Sequence, residues 1–221
     1  MCSCPSLWVC FGALYPLFIL SAVCNVDSML FFPMASAENY VTFSLTLPDL
    51  HELSVCLWLR VEAQHIGTLL SYATDDNDNQ LVLYGHDPVY RRLPVWSLLD
   101  ARWHHLCILW SSIQGRFWHY SDQHLISSGS NFRKGWEVPG GGSLVLGQEQ
   151  DIVAGGFDAA EGFAGQVAGF RVWKRVLTPA EVEGMSLRLK NLAVSGNMLS
   201  GLNVSQPQPH VCTGRVRYCR A

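Results

Sequence analysis

A chain of 221 residues is long enough for one large all-β domain or two small ones. Its 49% apolar and 15% charged residues exclude a disordered polymer and supply a sizeable core. The formal charge of −3, without any run of Lys or Arg, gives no reason to expect nucleic acid or a basic membrane-surface patch.

At the start, Leu7 to Val23 form an apolar run interrupted by Pro16. It is short for a membrane span and reads as a secretory signal over residues 1–24, although no Lys or Arg precedes it. An uncleaved anchor is the alternative. Small residues at Ala22 and Cys24 place the cut after Cys24 and leave Asn25 as the new terminus. Cys2, Cys4, Cys10 and Cys24 then depart with the signal, and Cys56, Cys107, Cys212 and Cys219 remain. Four cysteines in an oxidising compartment allow three pairings. A cut before Cys24 would leave a fifth, free for an interchain bond. No second long apolar run follows, so the expectation is a secreted, extracellular chain without membrane insertion.

Tyr40–Leu47 alternates strictly, with Val41, Phe43, Leu45 and Leu47 on one face and Thr42, Ser44 and Thr46 on the other. That is a half-buried strand. Further strands are expected at Val55–Val61, Thr68–Ala73, Gln80–Tyr84, His105–Trp110, Arg116–Tyr120, Ser143–Gly147 and Gly169–Trp173. Turn-forming clusters at 75–79, 86–88, 139–142 and 155–156 separate them. Many short strands with Gly- and Pro-rich turns point to an antiparallel sandwich. One helix interrupts the pattern. Thr178-Pro179-Ala180-Glu181 is a capping box with Pro at the first helical position, and the helix should run to about Leu189. The tail, residues 195–221, is rich in Gly, Ser, Gln and Pro and reads as irregular. It contains Asn203-Val204-Ser205, an N-glycosylation acceptor pattern.

The segment from Leu146 to Glu161 carries the chemistry. Glu149, Asp151, Asp158 and Glu161 fall within thirteen residues, with glycines between them and no Lys or Arg. Carboxylates held that close repel one another unless a cation lies among them, and calcium takes six to eight oxygen ligands from such groups. Gly155 and Gly156 let the backbone turn so that the two acidic halves face one site. The spacing is not that of an EF-hand, and a solvated acidic loop is the plainer alternative.

Several of these pieces resemble the pentraxin family over residues 31–189, about three quarters of the chain. Val55-Cys56-Leu57 and His105-Leu106-Cys107-Ile108-Leu109-Trp110-Ser111-Ser112 are similar to the halves of its intradomain disulfide, with Leu109 where Ser or Thr is usual. Ser71-Tyr72-Ala73-Thr74 with Asp78-Asn79 resembles its first calcium loop, and Leu146 to Asp151 its second. Val176 to Glu181 is similar to the start of its single helix. The resemblance implies an antiparallel jelly-roll β-sandwich of concanavalin or lectin-like type, with one short helix, over residues 25–194. It implies a Cys56–Cys107 disulfide. It also implies two Ca2+ per protomer: one held by Asp78, Asn79, Glu149, the Gln150 carbonyl and Asp151, the other sharing Glu149 and Asp151 and adding Asp158 and Glu161. Asp158 replaces the family's commoner Glu, and Glu161 its commoner Gln; both keep oxygen donors.

The function implied is secreted, calcium-dependent pattern recognition in innate immunity. Phosphate-bearing or other anionic ligands, such as lipid headgroups and microbial or damaged-cell surfaces, would complete the shells of the ions, the largest local charges in the site. Tyr84 aligns with an aromatic pocket position. The stretch from Tyr84 to Cys107 is several residues short, and no acidic residue there matches one that would face choline. By resemblance the assembly is a cyclic homo-oligomer, commonly a pentamer. Catalysis is not expected: the chain has no Gly-x-Ser-x-Gly elbow, and carboxylates occupied by calcium cannot act as free acid and base. Consecutive His104 and His105 point to opposite faces of a strand, which argues against zinc. Trp96, Trp103, Trp110, Trp118, Trp136 and Trp173 are expected to pack in the core rather than stack on sugars. The second reading is a non-catalytic adhesion module of a larger adhesion-type seven-helix receptor. Cys212 and Cys219 fit either a second small disulfide or a truncated form of such a longer protein.

Overall fold

The computed structural model describes residues 24–43, 46–62, 66–84, 98–187, 204–207 and 212–219. In chain order its strands are β1 (Cys24–Phe32), β2 (Val41–Phe43), β3 (Glu52–Arg60), β4 (Thr68–Thr74), β5 (Asn77–Tyr84), β6 (His104–Ser111), β7 (Arg116–Ser121), β8 (His124–Gly129), β9 (Ser143–Leu146), β10 (Gly165–Trp173), β11 (Val204–Pro207) and β12 (Cys212–Cys219), with helix α1 (Pro179–Leu187) between β10 and β11. They form an antiparallel seven-stranded sheet ordered β12-β1-β10-β3-β6-β7-β8 and a five-stranded sheet ordered β11-β2-β9-β4-β5.

The sequence of β3 explains its central place. Glu-Leu-Ser-Val-Cys-Leu-Trp-Leu-Arg is buried at every position but its two ends, as a strand covered on both faces must be. Leu53, Val55, Leu57 and Leu59 join Leu70, Tyr72, Leu144 and Leu146 of the other sheet in the core between the layers. The opposite face carries Cys56, which clusters with Cys107, Leu109 and Trp173 beneath Leu177, Val182 and Met185 of the helix and its lead-in. Ser54 ties that helix down: its Oγ donates to the Arg175 carbonyl at 2.7 Å and accepts from the Leu177 N–H at 3.0 Å. The capping box is present, with the Glu181 N–H donating to Thr178 Oγ1 and the Thr178 N–H donating to Glu181 Oε2.

Three expectations are corrected. The residues beyond 195 are not irregular throughout, since β11 pairs with β2 and β12 with β1, extending one sheet each. Thr, Val and Tyr in β12 are strand formers, and the free side of β1 supplies their backbone partners. The first alternating strand is shorter than read: it is described over Val41–Phe43, residues 44 and 45 lie outside the described residues, and Thr46 and Leu47 are not in a strand. The strand read as starting at Gly169 starts at Gly165; Gly169 marks a bulge, with φ +61° and a register shift between Ala168 and Arg171.

Candidate functional site

Two acidic segments meet at one end of the five-stranded sheet because their parent strands are neighbours. β4 pairs with β9, Leu70 opposite Leu146 and Tyr72 opposite Leu144. The first segment is the tight turn Asp75-Asp76 that joins β4 to β5, closed by the pairing of Thr74 with Asn77. The second is the loop that leaves β9 at Gly147. It returns to β10 through Phe163, whose N–H donates to the Gly147 carbonyl at 2.9 Å and whose ring is fully buried against Phe32.

A buried polar belt joins the two segments. Ser71 Oγ donates to the Gln148 carbonyl at 2.7 Å. Gln150 Nε2 donates to Ser71 Oγ at 3.0 Å and to the Ser143 carbonyl at 3.2 Å, while its Oε1 accepts from the Ala154 N–H at 2.8 Å. The side chain of Gln150 is therefore spent inward, on partners within the belt. Within the loop, Ile152 and Gly155 form an isolated bridge. Gly156 has φ +74°, and a Cβ there would stand 2.6 Å from the Cβ of Asp151, so only glycine fits. Asp158 caps the short 3₁₀ turn Ala159–Glu161, its Oδ1 accepting from the Ala160 N–H at 2.8 Å.

A cleft lies between the segments, lined by Thr74 to Asp78 on one side and Asp151 to Val153 on the other. No Lys or Arg occurs between Arg60 and Arg91 or between Lys134 and Arg171, so neither segment contains its own counter-charge. The field is legible in the acids themselves. Burial, then Glu161, Asp151 and Asp78, push the Glu149 carboxyl up to about 7. Burial, then Asp151 and Asp158, also raise Glu161, partly offset by a hydrogen bond with Glu149. Glu149 Oε1 is buried without a hydrogen-bond partner, an acceptor that lacks a positive neighbour. Among the described residues no three of these carboxylates bring oxygens within 4.8 Å of one another. The donor set is all oxygen, which suits a hard cation such as calcium.

The other predicted residues fall as follows. Asp78 is half-buried in the cleft wall and Asn79, exposed beside it, donates from Nδ2 to Asp78 Oδ1 at 2.9 Å. Asp75 and Asp76, which sequence reasoning passed over, line the cleft; three Asp within 75–78 were the available signal. Tyr84 stands apart, at the far end of β5 opposite Thr68, and does not line the cleft. Cys56 and Cys107 are bonded, with Cα atoms 4.2 Å apart. Cys212 and Cys219 do not suit each other: they end one eight-residue strand, which holds their Cα atoms roughly 23 Å apart, beyond disulfide reach. Asn203, Trp96 and Leu189 lie outside the described residues. Trp110 and Trp173 are core residues, but Trp136 is 42% exposed beneath the Arg133 guanidinium, so the expectation of a core role fails there.

The two adjacent histidines do separate. His105 is buried against Trp58, and burial lowers its imidazole to about 4. His104 bonds to Asp122 at 2.7 Å and Asp100 at 2.9 Å; burial works against its protonation, but the two acids raise it overall. Among the described residues the one tight trio of metal-type ligands is Cys56, His105 and Cys107, whose sulfurs are consumed by the disulfide.

Comparison with known proteins decides the family. The family model described as "Pentaxin family" matches residues 28–205. The chain belongs to the pentraxin family. It is 45% identical to human pentraxin-4, covering 82% of this chain and 43% of that protein. Against neuronal pentraxin-2 of Cavia porcellus the identity is 36%, covering 76% of this chain and 41% of that protein. The pentraxin chain thus spans less than half the length of these relatives. A solved heptameric SAP-like pentraxin from Limulus polyphemus superposes with a TM-score of 0.67 at 25% identity, covering 87% of this chain and 95% of that one. The jelly-roll sandwich is therefore the pentraxin fold. Pentraxins are non-catalytic ligand-binding proteins that bind calcium, and the oxygen-lined cleft fits that ion.

Proposed function

We propose that this pentraxin domain is an extracellular calcium-dependent receptor for anionic ligands. Two Ca2+ would be held by Asp78, Asn79, Glu149, the Gln150 carbonyl, Asp151, Asp158 and Glu161. The observation that carries the reading is Glu149, whose buried Oε1 lacks a partner and whose carboxyl is raised to about 7 first by burial and then by the three acids that crowd it. A bound cation reverses that local field. When present it supplies open coordination positions for a phosphate or carboxylate oxygen. Ile152 and Val153 beside the cleft are 64% and 38% exposed, which supports a ligand with an apolar portion next to its charge. By likeness to the heptameric Limulus protein, copies would assemble into a closed ring and multiply weak contacts. The Cys56–Cys107 disulfide suits a secretory route, and among the described residues no helix is long and apolar enough to cross a membrane.

A thermal melt in calcium and in chelator tests the reading, because a ligand that binds only the native state raises the melting temperature. We expect a rise with calcium that Glu149→Gln and Asp151→Asn each remove, weakening the ion at least about tenfold, near 1.4 kcal/mol. No rise in the unaltered protein would sink it. A second reading, a non-catalytic adhesion module within a larger protein, is favoured by the short span of this chain against pentraxin-4 and neuronal pentraxin-2.

A further inference from the structure

We propose that His104 is a pH-sensitive clasp, which ties the loop of residues 98–103 to the β7–β8 turn only while its ring is protonated. The ring lies between two carboxylates. Its Nδ1 is 2.7 Å from Asp122 Oδ2 and its Nε2 is 2.9 Å from Asp100 Oδ1. Ionised carboxylates only accept hydrogen bonds, so both contacts are bonds only when both ring nitrogens carry a proton. A neutral imidazole has one N–H and turns a lone pair towards the other acid. The bond to Asp122 is the shorter one, and the second oxygen of Asp122 is fixed by the His105 N–H at 2.8 Å. The neutral ring therefore keeps Asp122 and releases Asp100 with its loop.

Both segments hold conformations that side chains rarely adopt. Ala101 in the loop has φ +63°, and Asp122 and Gln123 in the turn have φ +48° and +75°. Such residues persist only where their surroundings over-determine them. Ala101 is held through its N–H on the Val61 carbonyl at 3.0 Å and its carbonyl on Arg60 Nε at 2.7 Å. The other charged groups around the cluster are few. Arg102 stands 3.8 Å from Asp100, Arg60 of β3 is paired with Glu62 at 2.7 Å, and His124 of β8 donates to the Asp122 carbonyl at 2.9 Å. His105 packs its ring elsewhere, against Trp58. Burial opposes a charge on His104, but the bonds and charges of Asp122 and Asp100 outweigh it and raise the imidazole above its usual 6.5. A group raised in this way contributes in full below 6.5 and loses that contribution as pH rises through the raised value. The clasp is closed in acid and opens towards alkaline pH. Buried His105 and His119, lowered to about 4, act in the opposite direction on global stability, so the clasp must be read locally.

The test is hydrogen exchange of the full chain, read by mass spectrometry from mildly acidic to mildly alkaline pH and corrected for intrinsic rates. Exchange at the ring C2 carbon reports the protonation of His104, and amide exchange reports the loop. We expect His104 to titrate above 6.5. Protection of residues 98–103 should fall about tenfold as it does so, the factor for one hydrogen bond to a charged group. His104→Gln cannot titrate, and in Asp100→Asn the amide can pair with either form of the ring, so both should lose the pH response. Protection of 98–103 that does not change with pH in the unaltered chain overturns the proposal. So does His104 titrating at or below 6.5, or a response that survives in both variants. Should neither variant be secreted, the two measurements on the unaltered chain decide.

Discussion

Gln150 illustrates how one residue can serve a site without lending it a side-chain atom. Its amide spans the gap between Ser71 of β4 and the Ala154 N–H of the acidic loop. Replacing it with Ala removes its bonds to Ser71, the Ser143 carbonyl and the Ala154 N–H at once, at a cost of about 1–3 kcal/mol. Gly156→Ala acts differently, by pressing on the Cβ of Asp151 and forcing alanine to φ +74°. We expect it to cost about 1–2 kcal/mol and to weaken the stabilisation by calcium, since Asp151 must move. Urea unfolding with and without the ion measures both. A Gly156→Ala protein with unchanged stability would contradict the crowding seen here. The acidic residues were legible in the sequence because they sit close together in two short segments. Asp75 and Asp76 were read only as turn formers, since their density was a signal but the letters do not say which turn residues line a cleft. Gln150 was read only for its carbonyl, since a chain of letters cannot tell which polar side chains turn inside.

Among the elements, helix α1 was the easiest to foresee, because its signal is local. Thr178, Pro179 and Glu181 announce it within four residues, and Arg175 adds a pair of bonds to Glu181 at 2.9 and 2.6 Å. Those bonds from Arg175, helped by Thr178 against the opposing effect of burial, hold the Glu181 carboxyl down at about 2. A carboxyl lowered in this way stabilises the fold above its usual value near 4.5 and loses that contribution as pH falls from there towards 2. Glu181→Gln should therefore cost on the order of 2 kcal/mol at pH 7, after allowance for partial solvent screening. By pH 3 most of the difference from the unaltered protein should be gone. Chemical denaturation at the two pH values checks this, and an equal deficit at both would refute it. Edge strands escaped notice for the opposite reason. β8 exposes Leu125 and Ile126, so it lacks the inward-outward alternation that betrays a half-buried strand. β1 begins at Cys24, the last residue assigned to the signal, and its opening Cys-Asn-Val-Asp-Ser carries too few apolar residues to read as a strand.

For the whole molecule, the two sheets depend on β3, which carries the sandwich core on one face and the helix-covered cluster on the other. The Cys56–Cys107 bond joins it to β6 and closes a loop of sequence separation 51. Loop-closure entropy puts its contribution at roughly 4 kcal/mol. We expect the doubly substituted Cys56→Ser, Cys107→Ser chain to melt many degrees lower or to fail secretion; a melting temperature within a degree or two of the parent would show the bond to be dispensable. The overall sandwich was readable from alternation and turns, whereas the sheet order was not, since pairing partners lie far apart in the chain.

That order sets how the domain can be mounted. Cys24 and Cys219 are cross-strand neighbours, so whatever polypeptide precedes the one and follows the other departs from a shared pole. A stalk or sister module added at either terminus would meet the sandwich at that single pivot, and the domain could tilt about it without shearing the acidic cleft.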